Sequence, residues 1–151
     1  MHRSLTQVSL TVMLWVCVSC GSPPPSEGDA MESSAVSEAE LALGKEVYDA
    51  SCLSCHQVDG GGVPGLNPPL IGTDWVLGDK SRLIKVVLNG LNEPIVIEDE
   101  TYSNVMPSLS YLSDEDIAYV LTYVRNDFGN QASPITSSDV AQIRSSLADT
   151  L

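Results

Sequence analysis

Apolar residues recur at a spacing of three or four positions in several segments of this chain, with polar residues between them. The clearest segment follows Ser113, a residue type that commonly caps helix N-termini, and precedes Gly129. Its apolar positions are Ile117, Val120, Leu121, Val124 and Phe128. Because this spacing places them on one face of a helix, the segment is predicted to be an amphipathic helix packed on a core.

Further helices are predicted from the same two signals, a capping residue and an apolar stripe. One is capped by Ser37 and extends to about Ser51, another is capped by Asp79 and ends at Asn89, and a short last helix covers roughly residues 138–148. The inward face of the first carries Leu41, Gly44, Val47 and Tyr48, and the stripe of the second is Leu83, Ile84, Val87 and Leu88.

The segments between these helices lack helical periodicity. Residues 57–78 are rich in Gly and Pro and are predicted to form an extended loop. Residues 95–97 and 101–103 are short β-type runs on either side of Asp99, which predicts a small hairpin. The fold class is therefore predicted to be all-α, with long Gly/Pro loops and one small hairpin.

Residues 1–19 are typical of an export signal. Residues 1–3 are polar and positively charged, and residues 5–18 form a mostly apolar run that is too short to span a bilayer. The run ends in Cys17-Val18-Ser19-Cys20, which resembles a bacterial lipoprotein signal in which Cys20 receives lipid. The alternative is cleavage by the ordinary signal peptidase, which leaves a soluble exported protein.

The remaining chain is predicted to have three parts. Residues 20–37 contain three consecutive prolines and many Ser, Glu and Gly residues, so they are predicted to form a flexible, lipid-anchored tether. Residues 38–130 form the folded domain, and residues 131–151 form a C-terminal extension with the short helix. The predicted location is periplasmic and membrane-anchored, and Gly21 after the lipid-bearing cysteine favours the outer membrane.

Charge and composition limit the classes of partner. The chain carries 20 acidic and 7 basic residues, a formal charge of -13 at pH 7. This charge argues against nucleic acid and favours partner proteins with a basic docking surface. Aromatic residues make up only 5% of the chain, and a core this small usually needs a disulfide, a metal or a cofactor.

The candidate chemistry is concentrated in the motif Cys52-Leu53-Ser54-Cys55-His56. Two cysteines at this spacing can form thioethers with the two vinyl groups of a haem, and the adjacent histidine then faces the iron. Thioredoxin-type chemistry would need a βαβ context, a zinc site would need further ligands, and a simple disulfide would leave His56 without a role. One covalently attached haem c is therefore predicted.

The second axial ligand follows by elimination. His2 leaves with the signal, so His56 is the only histidine of the mature chain. The methionines are Met1 and Met13 in the signal, Met31 in the tether and Met106 in the folded domain. Ligation by His56 and Met106 saturates the iron and leaves no position for a substrate, which indicates an electron carrier and not an enzyme.

Two other haem protein classes stay open at this point. A haem-based sensor or small-ligand-binding protein would need an open or labile sixth position on the iron. A small peroxidase would need a distal His or Arg, and none stands out near Met106.

The motifs resemble those of the class I cytochromes c of bacteria, over about residues 41–129. The resemblance rests on the cysteine motif with Gly44 and Tyr48 ahead of it, on Asn67-Pro68-Pro69-Leu70-Ile71-Gly72, on Val105-Met106-Pro107 and on Leu121-Thr122-Tyr123-Val124. It implies the cytochrome c fold, in which the first and last helices of the domain cross with a small residue and an aromatic at the contact. Here Gly44 and Tyr48 would face Val120 and Tyr123.

Residues 62–130 are also similar to cytochrome c domains fused to, or encoded beside, quinoprotein dehydrogenases and copper nitrite reductases. This similarity is carried by the Gly-Val-Pro-Gly loop, the Leu-Asn-Gly-Leu stretch and the hairpin before Met106, whereas Glu93 stands where Gly is expected. It implies that the redox partner is a dehydrogenase, a nitrite reductase or a terminal oxidase.

Six further residues are candidates for the surroundings of the haem. Pro68 follows His56 by 12 residues in the matching loop, so its carbonyl is expected to accept a hydrogen bond from Nδ1 of His56. The candidates for the apolar wall are Leu70, Leu83, Val87 and Tyr102. Trp75 would contact the haem or its propionates, with a plain core position as the alternative.

Overall fold

The computed structural model describes residues 36–149, which contain six helices and one two-stranded antiparallel sheet. In chain order the elements are α1 (Glu38–Ser51), α2 (Leu53–His56), α3 (Asp74–Leu77), α4 (Lys80–Asn89), β1 (Ile95–Ile97), β2 (Glu100–Tyr102), α5 (Asp114–Asn126) and α6 (Ser137–Ala148). The predicted signal and most of the tether, Cys20 included, lie outside the described residues.

Side-chain caps begin the main helices at the predicted positions. The hydroxyl of Ser37 accepts the backbone N–H of Glu40 at 3.2 Å, and the Glu40 carboxylate accepts the N–H of Ser37 at 2.9 Å. Asp79 accepts the N–H of Arg82 at 2.8 Å at the start of α4, and Ser113 caps α5 in the same way. The helices predicted to begin at these three caps are confirmed, because capping is a local interaction that the sequence itself specifies.

The loop predicted over residues 57–78 is wrong in its last part, where it contains α3. Thr73 caps this helix by accepting the N–H of Val76 at 3.3 Å. Four residues are too few to show helical periodicity, so the sequence pattern could not reveal them. The short helix gives Trp75 and Val76 fixed positions beside α4.

Phe128 was predicted on the apolar face of α5 but lies beyond the end of that helix. The helix ends at Asn126, Asp127 is its cap, and Phe128 has a left-handed φ of 55°. The Asp127 carboxylate accepts the N–H of Phe128 at 2.5 Å. This turn places the Phe128 ring 5.4 Å from the ring of Tyr48 and 5.6 Å from that of Tyr123, which is the packing that offsets the backbone strain.

Two smaller boundaries also differ from the predictions. Strand β2 begins one residue early, at Glu100, because Glu98 and Asp99 form a two-residue turn with φ of 50° and 67°. Helix α6 begins at Ser137 because Thr136 is its cap, in a capping box with Asp139.

Helices α1 and α5 meet at Gly44. This residue is buried, and a Cβ atom there would overlap the carbonyl oxygen of Tyr119 and lie 2.6 Å from Cβ of Tyr123. One turn further along α1, the ring centroid of Tyr48 lies 5.5 Å from that of Tyr123. The expected contact of Gly44 and Tyr48 with Tyr123 is therefore present, although the backbone nearest to Gly44 is that of Tyr119 and not of Val120. The contact requires glycine because the two backbones approach so closely.

The segment after α5 packs on the same core. Ile135 and Val140 are buried in it, and α6 contacts both α4 and α5. The hydroxyl of Thr122 accepts the N–H of Ile135 at 3.0 Å and donates to the Ile135 carbonyl at 3.1 Å. Residues 131–149 thus add buried apolar surface to the helices that precede them.

The close contact at Gly44 generates a stability prediction. We expect Gly44→Ala to lower the free energy of unfolding of the haem-loaded protein by about 1–3 kcal/mol, because the added methyl group forces α1 away from α5. Guanidinium unfolding followed by far-UV circular dichroism measures this loss.

The matched control is Gly61→Ala, where the new Cβ would meet only the Asp59 side chain, at 3.1 Å. Equal losses in the two variants would show that helix contact is not the cause.

Candidate functional site

The residues singled out from the sequence converge on one cavity in the described part of the chain. Its lining includes Cys52, Cys55, His56, Pro68, Leu70, Trp75, Leu83, Val87, Tyr102 and Met106. Further apolar lining comes from Val76, Leu91, Ile95, Ile97, Leu109, Val120, Leu121 and Val124. The cavity is therefore a mainly apolar slot with two thiols and an imidazole in one part of its wall and a thioether in another.

Of the hairpin residues that line the cavity, Tyr102 is predicted from the sequence as part of its wall, and Ile95 and Ile97 are not. Ile95, Ile97 and Tyr102 line it, whereas Val96 between them is 63% exposed. Alternation of this kind is the usual pattern of a strand with one buried face, but residues 95–97 are all apolar, so the sequence does not reveal it. Likewise, Val120 and Val124 were assigned only to the packed face of α5.

The two cysteines lie where α1 gives way to α2. Cys52 ends α1 and precedes the single turn of α2, which carries Cys55 and His56. Both thiols are free, with Cys52 half-buried and Cys55 exposed. Burial, followed by the nearby Cys55, raises the pKa of Cys52 to about 11, so this thiol is neutral at pH 7 before any haem is attached.

The ring of His56 is held by the hydrogen bond that was predicted for it. Its Nδ1 lies 3.0 Å from the carbonyl oxygen of Pro68. When Nδ1 donates its proton there, Nε2 keeps the free lone pair that a metal ligand needs. Burial lowers the pKa of His56, and the Pro68 hydrogen bond acts in the opposite direction but more weakly, so the imidazole is kept neutral.

Gly62 makes this approach possible. It has φ of 67°, its N–H donates to the His56 carbonyl at 3.1 Å, and a Cβ there would lie 2.6 Å from the carbonyl oxygen of Pro68. A side chain at this position would push the loop away from α2. In the sequence, Gly62 stands out only as the first residue of the Gly-Val-Pro-Gly loop, although glycine is typical of positions where two backbone segments approach this closely.

Met106 is positioned by backbone pairing with the chain that follows α4. Its N–H donates to the carbonyl of Leu91 and its carbonyl accepts the N–H of Leu91, both at 2.9 Å. The next segment is fixed too, because the N–H of Leu109 donates to the Val87 carbonyl at 2.9 Å. The methionine therefore lies on a segment with two separate attachments to the α4 region.

Asn130 attaches the loop before α3 to the end of α5. Its side-chain amide donates to the carbonyl of Leu70 at 3.0 Å and to that of Val124 at 2.7 Å. Its Oδ1 accepts the N–H of Gly72 at 2.8 Å. The residue is buried, and nothing in its spacing from the motifs had marked it. It holds the loop that carries Leu70 against the cavity.

The donor set of the cavity fits a covalently attached haem. Two free thiols three residues apart suit thioether bonds to two vinyl groups, and a neutral imidazole and a thioether suit the iron. The apolar walls suit the porphyrin faces. Fold and site together fit the class of proteins that hold one covalently attached haem.

Comparisons with known proteins agree with this class. The family model described as "Cytochrome c" matches residues 41–127. Cytochrome c-552 of Thermus thermophilus is 36% identical over 112 residues, which cover 68% of this chain and 85% of that protein. The gluconate 2-dehydrogenase cytochrome c subunit of Pantoea cypripedii is 35% identical over 67% of this chain and 24% of that subunit. A cbb3-type oxidase subunit CcoP of an Azospirillum strain is 33% identical over 64% of this chain and 32% of that subunit.

The chain belongs to the cytochrome c family. Its fold is the helical cytochrome c fold, it binds one covalently attached haem c, and it is an electron carrier and not a catalyst. Its relatives include cytochrome subunits of dehydrogenases and of an oxidase.

Proposed function

We propose that this protein is a monohaem carrier in which Cys52 and Cys55 form the thioethers and His56 and Met106 ligate the iron. The single observation that carries the proposal is that all four side chains line the same apolar cavity. These residues come from two chain segments about 50 positions apart, and each segment is held in place by its own backbone contacts.

The haem, when bound, would supply a one-electron couple. His56 and Met106 would both stay on the iron in its two oxidation states, which would favour fast electron transfer. Pro68 orients the ring of His56, and the pairing with Leu91 keeps Met106 from moving away. The apolar walls exclude water, which limits the solvent reorganisation that accompanies the change of charge.

The Met106 assignment has a spectroscopic test. Met106→Ala should convert a low-spin spectrum to a high-spin one and lower the reduction potential sharply, because the thioether ligand is removed and a His/Met pair raises the potential. Optical and electron paramagnetic resonance spectra of the purified haem protein report the spin state, and a redox titration gives the reduction potential. The control Met31→Ala should leave both unchanged.

An unchanged low-spin spectrum in Met106→Ala would contradict the assignment and point to another ligand, such as Lys80 or a group from a second molecule. In the structure, Lys80 donates instead to the carbonyl of Pro134, at 2.5 Å. A wild-type spectrum without the methionine-to-iron charge-transfer band would favour the sensor or small-ligand-binding class.

We also propose that the carrier is a periplasmic lipoprotein tethered to a membrane. The proposal is supported by the signal-like residues 1–19 and by Cys20 at their end. Within residues 36–149, no helix has both the length and the apolarity needed to cross a bilayer. A flexible tether over residues 21–37 would have an r.m.s. reach of roughly 20–25 Å, which raises the effective concentration near a partner on the same membrane.

The lipid anchor is tested by a single substitution in the full-length chain. Cys20→Ala should move the haem protein out of the membrane fraction, because the acceptor of the lipid is lost. Fractionation and mass spectrometry of the N-terminal peptide provide the readout. Cys17→Ala serves as the control and should remain membrane-bound; release of both variants, or a soluble wild type, would contradict a lipid on Cys20.

We further propose that a partner protein docks at the hairpin side of the cavity and that its own docking surface is basic. Glu98, Asp99 and Glu100 are exposed at the turn of the hairpin that lines the cavity, and none forms an ion pair with another residue of the described chain. Residues 36–149 contain 17 acidic and 6 basic side chains. This acidic turn, together with the surrounding negative field, would attract an electropositive patch and speed association.

Ionic strength tests this steering. Reduction of the oxidised protein by the hexaammineruthenium(II) cation should slow on the order of 10-fold from low to high salt, because salt shortens the Debye length from about 30 Å at 0.01 M to about 3 Å at 1 M. Stopped-flow absorbance measures the second-order rate.

Two triple variants with the same net charge test where the cation docks. The variant Glu98→Gln/Asp99→Asn/Glu100→Gln removes the acidic turn, and the control Glu38→Gln/Glu46→Gln/Asp149→Asn removes three exposed acidic side chains elsewhere. The first should weaken the salt dependence of the reduction rate more than the control. Equal effects would assign the attraction to net charge alone. A rate that stays flat or rises with salt in the unaltered protein would remove steering altogether.

A further inference from the structure

Arg125 is a buried cation near the end of α5. The residue is only 2% exposed. Its guanidinium donates to the carbonyl oxygens of Val76 at 2.5 Å, Gly78 at 3.4 Å and Ser133 at 2.9 Å, and to the Ser133 hydroxyl at 3.4 Å. All of these acceptors are neutral. Within residues 36–149 no carboxylate lies within ion-pair distance of this guanidinium.

A buried charge without a counter-charge is costly, and hydrogen bonds to carbonyl groups offset only part of that cost. Burial lowers the pKa of the Arg125 guanidinium, but an arginine side chain does not lose its proton in a protein. The other basic residues differ in this respect. Lys45, Lys80, Arg82 and Arg144 each lie within 4.0 Å of a carboxylate, and Lys85 is exposed. Arg125 therefore keeps an uncompensated positive charge inside the fold.

This charge is hydrogen-bonded to a residue of the cavity wall. Its shortest hydrogen bond is to the backbone carbonyl of Val76, which belongs to the cavity lining, as does Val124, the residue before Arg125. Two ion pairs lie close to its acceptors. Asp74 and Arg82, both next to Gly78, are 2.7 Å apart. Lys80, which donates to Pro134, lies 4.0 Å from Asp139. Asp127, two residues further along the chain, accepts the N–H of Phe128.

We propose that the charge of Arg125 raises the reduction potential of the haem in this cavity. Oxidation adds one positive charge to the iron, so a nearby fixed cation disfavours the oxidised state relative to the reduced one. The low dielectric of the interior strengthens the effect and reduces its screening by salt. The inference rests on the proposed function, because it requires the haem to occupy the cavity with its axial ligands in place.

The decisive experiment neutralises the charge without removing the arginine. Ser133 is exposed, and its hydroxyl contacts the guanidinium, so Ser133→Asp places a carboxylate against Arg125. Ser133→Asn is the uncharged control of the same shape, and Ser138→Asp adds the same charge at an exposed position on α6. Redox titration of the haem-loaded proteins at high ionic strength should show a lowered potential in Ser133→Asp only.

Arg125→Gln and Arg125→Lys separate charge from hydrogen bonding. The potential should fall in the Gln variant and stay close to wild type in the Lys variant. Equal falls in both would overturn the proposal, because lost hydrogen bonds would then be the cause. Should Arg125→Gln fail to bind haem, the Ser133 series still decides, and equal potentials in Ser133→Asp and Ser133→Asn would overturn the proposal.

Optical spectra of each variant keep this test separate from that of the proposed function. A variant that retains the wild-type low-spin spectrum still has its axial ligands, so a changed potential reports the charge. If the wild-type spectrum itself shows no methionine ligation, the proposed function fails independently of any Arg125 result.

Discussion

The approach of α1 to α5 at Gly44 is the contact on which the rest of the structure depends. The first helix continues directly into Cys52 and the turn that carries His56, and the other lines the cavity with Val120 and Val124. The distance between the helices therefore fixes the distance between the cysteine motif and the facing wall. A glycine permits that distance, since any side chain at this position would collide with the backbone of α5.

The loops around the cavity are ordered by hydrogen bonds and not by regular secondary structure. Asn130 holds the backbone of Leu70 and Gly72, the Pro68 carbonyl meets His56, and the backbone of Met106 pairs with that of Leu91. Asn130 is itself buried, so its hydrogen bonds also satisfy a side-chain amide that would be costly to bury without partners. The hydrogen bonds that satisfy the loop backbone are thus the same ones that shape the cavity.

Charge is distributed unevenly between the surface and the interior. Acidic side chains dominate the surface of the described chain, and most of the basic ones are paired there. Arg125 is the exception, because it is buried among carbonyl groups that include that of Val76 in the cavity wall. A negative exterior acts on partners at long range and is screened by salt, whereas a buried cation acts on the cavity and is screened little.

The sequence by itself determined the features that depend only on residues close together in the chain. The caps at Ser37, Asp79 and Ser113 and the spacing of the cysteine motif are local, and counting histidines and methionines left His56 and Met106 as the candidate ligands. Only the tertiary structure decided that Ile95 and Ile97 line the cavity, that Phe128 leaves the helix, and that Asn130 and Arg125 are buried. The side chains of Asn130 and Arg125 bond to groups 47–60 positions away. No periodicity or capping pattern encodes partners that distant, because they come together only when the helices pack.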